Sequence, residues 1–237
     1  MLEVDLHTHS LFSLCGIHTT VEMLTRGKEL GLKAMAITDH GKALKGRLNN
    51  VFFERLKEPV PGIKLLKGME CNILDENGNN DCMLENLKYM DIVLIGFHKD
   101  FVKSQAKEKN TQVLINVMEN FKYIDIITHP HDACYEFDFY RLAESAKKND
   151  VALELNNSKI MLERVSAELT EKMLLACKDV ECQIAVNSDA HGLNEIGLDK
   201  HVRPLLEKIG FPEKLIINRD YDVAMEYINR KKKMKNI

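Results

Sequence analysis

The chain has 237 residues, 45% of them apolar, and a formal net charge of −3. That is enough apolar material for a continuous core, and the charge gives no general attraction to nucleic acid or to anionic membranes. No stretch approaches the ~18 apolar residues of a membrane-spanning helix.

The first five residues, Met1-Leu2-Glu3-Val4-Asp5, carry two acids and no base, so no secretory leader is expected. The six cysteines, at 15, 71, 82, 134, 177 and 182, form no C-x-x-C pair. They read as reduced thiols of a cytoplasmic protein.

An apolar run at 4–6 leads directly into His7-Thr8-His9. Side chains two apart on a strand share a face, so both imidazoles can grip one ion, although H-x-H alone is a weak signal. Residues 20–30 form a helix closed by Gly31, a suitable glycine just past a helix end. The run 34–38 is a second strand followed by Asp39-His40. The charged segment 42–61 holds two prolines and reads as a loop with a short helix. Its Lys42, Lys45 and Arg47 either reach over a site as phosphate anchors or are simply solvated.

The third strand, 63–70, ends on Glu70, and 72–81, with Asn77-Gly78, reads as a hairpin or loop excursion. The run 92–97 leads into His98. Asn110 is placed to cap a helix whose apolar stripe is Val113, Leu114, Val117, Met118 and Phe121. The run 124–128 leads into His129. Helical stripes at Phe139, Leu142, Ala143 and Ala146, and at Leu169, Met173 and Ala176, flank a sixth strand at 151–156. The last strand, 183–187, is followed by Asp189 and His191. The basic run 230–233 reads as a helix end complementing its dipole.

Seven short strands, apolar on both faces and separated by helices, point to a parallel sheet closed or nearly closed into one β/α barrel over residues 1–237. In such a barrel the strand ends converge on one face. Residues scattered along the chain therefore meet, and imidazoles with carboxylates are suitable ligands for Zn²⁺, Mn²⁺ or Fe²⁺. Each histidine alone is more simply a hydrogen-bonded structural residue. Their joint placement at the same end of successive strands is not. Glu70 is a natural bridge between two ions, and Asp5, Asp39 and Asn187 are candidates to orient imidazoles through the second ring nitrogen.

The segments 5–10, 36–41, 68–70, 95–98, 128–130, 153–157 and 187–191 (Asp-Leu-His-Thr-His-Ser through Asn-Ser-Asp-Ala-His) occur in the order found in the PHP family, named for polymerase and histidinol phosphatase domains. The sequence resembles its stand-alone, histidinol-phosphatase-like branch. The resemblance implies a distorted seven-stranded, TIM-barrel-like β/α barrel with a trinuclear site for zinc, manganese or iron. It places His7, His9, Glu70 and Asp189 on one ion, Glu70, His98 and His129 on a second, and His40 and His191 on a third. Where the family has a His or Asp ligand for the third ion, this chain has Cys15, with His18 three residues later. The reading favours His18, because a thiol must first lose its proton.

The implied reaction is phosphate-ester hydrolysis by metal-activated water on a small phosphorylated substrate, with no membrane or nucleic-acid partner. His131, leaving the fifth strand beside His129, is the candidate proton donor to the leaving group; a loop histidine explains it equally well. His201 is left on the surface. Two other readings stand beside this one. An amidohydrolase-type C–N hydrolase shares H-x-H and a late Asp but usually needs a bridging lysine where this chain has Glu70. A non-catalytic metal-binding module is the other.

Overall fold

The computed structural model describes residues 1–235. Seven strands, β1 (Val4–Asp5), β2 (Ala34–Ile37), β3 (Lys64–Asn72), β4 (Ile92–Gly96), β5 (Ile126–Ile127), β6 (Ala152–Asn156) and β7 (Ile184–Asn187), form one parallel sheet in sequential order. The helices are α1 (Thr20–Glu29), α2 (Asn50–Arg55), α3 (Lys107–Asn120), α4 (Phe139–Lys148), α5 (Asn157–Met161), α6 (Ala167–Val180), α7 (Arg203–Ile209) and α8 (Tyr221–Met234). The sheet curls into a nearly closed barrel, as expected. Among the described residues no helix is long and apolar enough to cross a membrane.

Between β1 and β7 the closure relies on loop backbone and side chains. The His9 N–H donates to the Ala190 carbonyl at 2.8 Å, and the Leu6 N–H to Asn187 Oδ1 at 3.1 Å. The Asn218 amide donates to the Val4 and Val186 carbonyls, and its oxygen accepts from the Val186 N–H. Two asparagines thus satisfy strand backbone that no neighbouring strand reaches. Asn187 is a seam residue, and the expectation that it orients an imidazole is replaced by this role.

Strand alternation sorts the side chains. Val4, Ala34, Leu66, Ile92, Leu94, Ile126, Ala152 and Ala185 fill the barrel interior, which Ala224, Tyr227 and Ile228 of α8 close from the N-terminal end. Val93, Ile95, Ile127, Leu153 and Val186 face outward against Val113 and Val117 of α3, Leu142 of α4 and Met173 of α6. Following an inward row toward the C-terminal end, Leu66 gives way to Glu70, Ala152 to Glu154, and Ala185 to Asn187. The barrel therefore carries an apolar layer below a polar one.

Local boundaries follow the capping chemistry. Helix α1 begins at a reciprocal cap in which Thr19 accepts from the Glu22 N–H and Glu22 accepts from the Thr19 N–H. Two expectations need correction. Strand β3 runs on to Asn72, because Cys71 and Asn72 stay in register with Ile95 and Gly96, so Glu70 lies inside the barrel, not at its rim. Helix α3 starts one turn earlier than Asn110. The Asn110 side chain instead bonds the Gln105 N–H and the Gln105 and Glu136 carbonyls, tying the entering loop to the segment that precedes α4.

Candidate metal centre

The chain returns to one mouth seven times, and five of those returns deliver a ligand-type side chain within two residues of the strand end. Glu70 is 1% exposed and sits at the centre. Its Oε2 lies 3.3 Å from His7 Nε2, 3.4 Å from His9 Nε2 and 3.0 Å from His40 Nδ1. Its Oε1 lies 3.4 Å from His98 Nε2 and 3.1 Å from His129 Nε2. The two oxygens of one carboxylate thus face two separate sets of imidazoles.

Asp189 Oδ1 completes the first set, 3.4 Å from His7 Nε2 and 3.2 Å from His9 Nε2, which are themselves 3.0 Å apart. Four donors held tetrahedrally at about 2.0–2.1 Å from one zinc ion stand about 3.3–3.4 Å from each other. The spacing of this set fits a cation. Donor atoms of His9, Cys15, His40 and His191 form another group, all within 4.8 Å of one another. His40 Nδ1 is buried and makes no hydrogen bond, which suits a shared cation better than a shared proton.

Backbone geometry is spent on these positions. His129 and Asp189 have φ of +33° and +55°, a region that non-glycine residues rarely occupy and that persists where the surroundings over-determine it. Gly16 is needed for the Cys15 loop, since a Cβ there would sit 2.0 Å from the Ser10 carbonyl oxygen.

The electrostatics follow from burial against pairing. Burial acts to lower His7 and His9, but neighbouring carboxylates outweigh it. Glu154, Asp189 and Glu70 hold His7 well above the ordinary histidine value, and Asp189 and Glu70 hold His9 up to about 9. Burial lowers His40 to about 4, and also lowers His129 and His191. A lowered value favours the neutral ring, the form a metal ligand needs. Burial, with Glu70 nearby, pushes the Cys15 thiol up to about 12.

The carboxylate that supports an imidazole is Glu154, not Asp5 or Asp39. His7 Nδ1–H donates to Glu154 Oε1 at 2.7 Å, which turns the Nε2 lone pair toward Glu70 and Asp189. Glu154 also accepts from the His129 N–H and from the Asn156 and Asn187 amides. Asp5 instead holds Ser188 and the Gly197 N–H. Asp39 accepts from the Ser10 and Ser13 hydroxyls, and Ser13 Oγ contacts His9 Nδ1 at 3.2 Å, so its influence on an imidazole is indirect.

Of the expected residues, His7, His9, His40, Glu70, His98, His129, Asp189 and His191 are brought together. Two are not. His18 lies outside the donor groups, and Cys15 takes the place beside His9, His40 and His191. The tight turn through Gly16 aims the thiol inward and carries His18 past the site. His131 is fully buried; its Nδ1–H donates to Thr170 Oγ1 and its Nε2 accepts from the Asn156 N–H. With both nitrogens engaged and burial lowering it to about 3, it fixes the β5 and β6 exits and is no proton donor. His201 is partly exposed, as expected.

The pocket over the cluster has a volume of about 340 Å³, and Ser158, Lys159 and Arg164 join the ligands in its wall. Lys42, Lys45 and Arg47 do not. A larger groove of about 680 Å³ runs along the outer side of the Cys15 loop. It is lined by apolar side chains such as Phe12 and Phe52 and brings no ligand groups together.

Residues 5–158 match the PHP domain family. A probable phosphatase of Caldanaerobacter subterraneus subsp. tengcongensis is 36% identical over 238 residues, covering 98% of this chain and 93% of that protein. A probable phosphatase of Acetivibrio thermocellus is 35% identical over 232 residues, covering 97% and 96%. Among solved structures, histidinol phosphate phosphatase from Lactococcus lactis, complexed with zinc, L-histidinol and phosphate, superposes with a TM-score of 0.65 at 18% identity, covering 88% of this chain and 94% of that one. That likeness concerns the fold; the sequence matches and the family model together make this chain a member of the PHP domain family.

Proposed function

We propose that the protein is a phosphatase that hydrolyses a small phosphomonoester with the help of two or three divalent cations, zinc, manganese or iron. The observation that carries this reading is the division of Glu70, one oxygen toward His7, His9 and His40 and the other toward His98 and His129. A cluster of this kind has more negative and lone-pair donors than the protein supplies with cations. His7, His9, Glu70 and Asp189 would hold one ion, Glu70, His98 and His129 a second, and Cys15, His40 and His191 a third. Ions bound there supply Lewis acidity toward phosphoryl oxygens and acidify water.

The chain's own residues do the positioning. Glu154 fixes the His7 tautomer. Burial favours the neutral form of His40, His129 and His191. The polar layer sits on a packed apolar one, so the mouth opens to solvent on one side only, and preorganised groups need little rearrangement during reaction.

The test uses purified protein stripped with chelator and reloaded separately with zinc, manganese or iron. Substrates are p-nitrophenyl phosphate, bis(p-nitrophenyl) phosphate and a lactam. Hydrolysis of the monoester, abolished by chelation and restored by metal, is expected. Turnover of the lactam alone would move the protein to the C–N hydrolase reading, and stoichiometric metal without turnover of any substrate to the binding-module reading.

A further inference from the structure

We propose that Lys159 is the phosphate anchor of this pocket and that Asp132 restrains it, so the pair sets how tightly a phosphoryl dianion is held. The proposal rests on the phosphatase reading and names how that site recognises its substrate.

Lys159 lies in α5, directly after β6, and its backbone is fixed at both ends. Its N–H donates to Asn156 Oδ1 at 3.1 Å, and its carbonyl accepts from the Arg164 N–H at 2.8 Å. The residue is only 8% exposed, yet it forms part of the wall shared with His40, Glu70, His98 and His129.

A lysine is rarely buried without a partner that compensates the lost hydration. Here that partner is Asp132 Oδ2 at 3.4 Å, longer than the ~2.7–2.9 Å of a well-formed charge-assisted hydrogen bond. Among the described residues Nζ makes no hydrogen bond at all, and an ammonium has three donors. Lys159 lines a cavity whose wall also carries His40, Glu70, His98, His129, Asp189 and His191. An anion bridging between the cations and the ammonium satisfies both.

Asp132 is itself held in place. Its Oδ1 accepts from the Cys134 N–H at 2.9 Å, and its own N–H donates to the His129 carbonyl. The carboxylate therefore cannot follow the ammonium toward a ligand. It competes with phosphate for Lys159 and weakens retention of the product. Lys42, by contrast, is exposed and outside the pocket.

Calorimetric titration of inorganic phosphate into metal-loaded protein tests this, with metal content measured for each variant and kcat and KM for p-nitrophenyl phosphate alongside. Lys159→Met should weaken phosphate binding about 10- to 100-fold, Lys159→Arg should recover most of that, and Asp132→Asn should tighten it about fivefold. Lys42→Met should match the parent protein. Unchanged phosphate affinity in Lys159→Met at full metal content overturns the anchor, and weaker binding in Asp132→Asn overturns the restraint, whether or not Lys159→Met folds. Phosphate binding that depends on Lys159 in a protein that hydrolyses no phosphate ester would refute the phosphatase reading while sustaining the anchor. Hydrolysis that is indifferent to Lys159 would do the reverse.

Discussion

At the N-terminal end of the barrel, Lys232 donates to Asp91 at 2.7 Å, Lys235 to Asp125, Arg230 to Asp150, and Lys231 to the Asp150 carbonyl at 2.6 Å. Basic side chains of α8 and its C-cap thus meet acids from the strand-entry loops, and the apolar face of the same helix seals the barrel. At the C-terminal end, Glu70, Glu154 and Asp189 are at most 4% exposed, and the protein sets imidazoles and one lysine against them. The lower end balances its own charges. The upper end balances only if its imidazoles take up protons or if metal cations enter. Buried acids matched by bases stiffen a fold, whereas a surplus of unmatched buried acids marks a place made for something else.

The strongest way to break this contrast is Glu70→Gln, which keeps the shape of the side chain and removes its charge. Loss of at least one bound ion by elemental analysis is expected, with kcat for p-nitrophenyl phosphate down about 10³-fold or more. Near-normal turnover would mean that the upper cluster is structural like the lower one. Glu154→Gln acts one step removed, by releasing the His7 ring. A loss of about 10- to 100-fold in metal affinity or kcat is expected, the usual cost of deleting a group that orients a ligand.

The lower end should respond in the opposite way. The Lys235 ammonium and the Asp125 carboxyl are 2% and 1% exposed, and removing the lysine leaves a buried carboxylate without its partner. Lys235→Met should lower Tm by on the order of 10 °C, as breaking a buried pair does, with kcat per folded molecule unchanged. A drop in kcat without a drop in Tm would show that the two ends are coupled.

How much of this was legible in the sequence depends on what each feature rests on. Strand order and the eight converging ligands were legible because short β/α repeats put successive strand ends on one face. Glu154 lies in the 153–157 segment, and an acid between Leu153 and Leu155 on an inward row carries the same signal as Glu70. The basic run 230–233 reads from the sequence as a helix end complementing its dipole. Its pairing with Asp91, Asp125 and Asp150 depends on contacts up to 141 residues apart, which no local pattern records. Lys159 carries no signal of its own in the sequence, and Cys15 ranks there behind His18, for a related reason: a turn at Gly16 and a short helix after Asn156 decide where they point, whereas chemistry alone favours His18 and leaves the basic residues of the 42–47 loop as either anchors or solvated side chains.

The mildest probe separates protons from cations at the upper end. In metal-free protein His9 is held up to about 9 by Asp189 and Glu70 against the effect of burial, above its unfolded value of about 6.5. A raised value in the folded state contributes stability that is complete below pH ~6.5 and is lost as pH rises through about 9. His7, raised in the same direction by Glu154, adds to the loss. Metal-free protein should therefore fall in Tm between pH 6.5 and 9, and zinc-loaded protein should fall less, because the cation replaces the protons and its uptake releases them. The lower end is identical in both forms, so its pairs cancel in the difference between the two curves. A metal-free Tm that is flat or rising across this window would mean that the imidazoles do not stand in for absent cations.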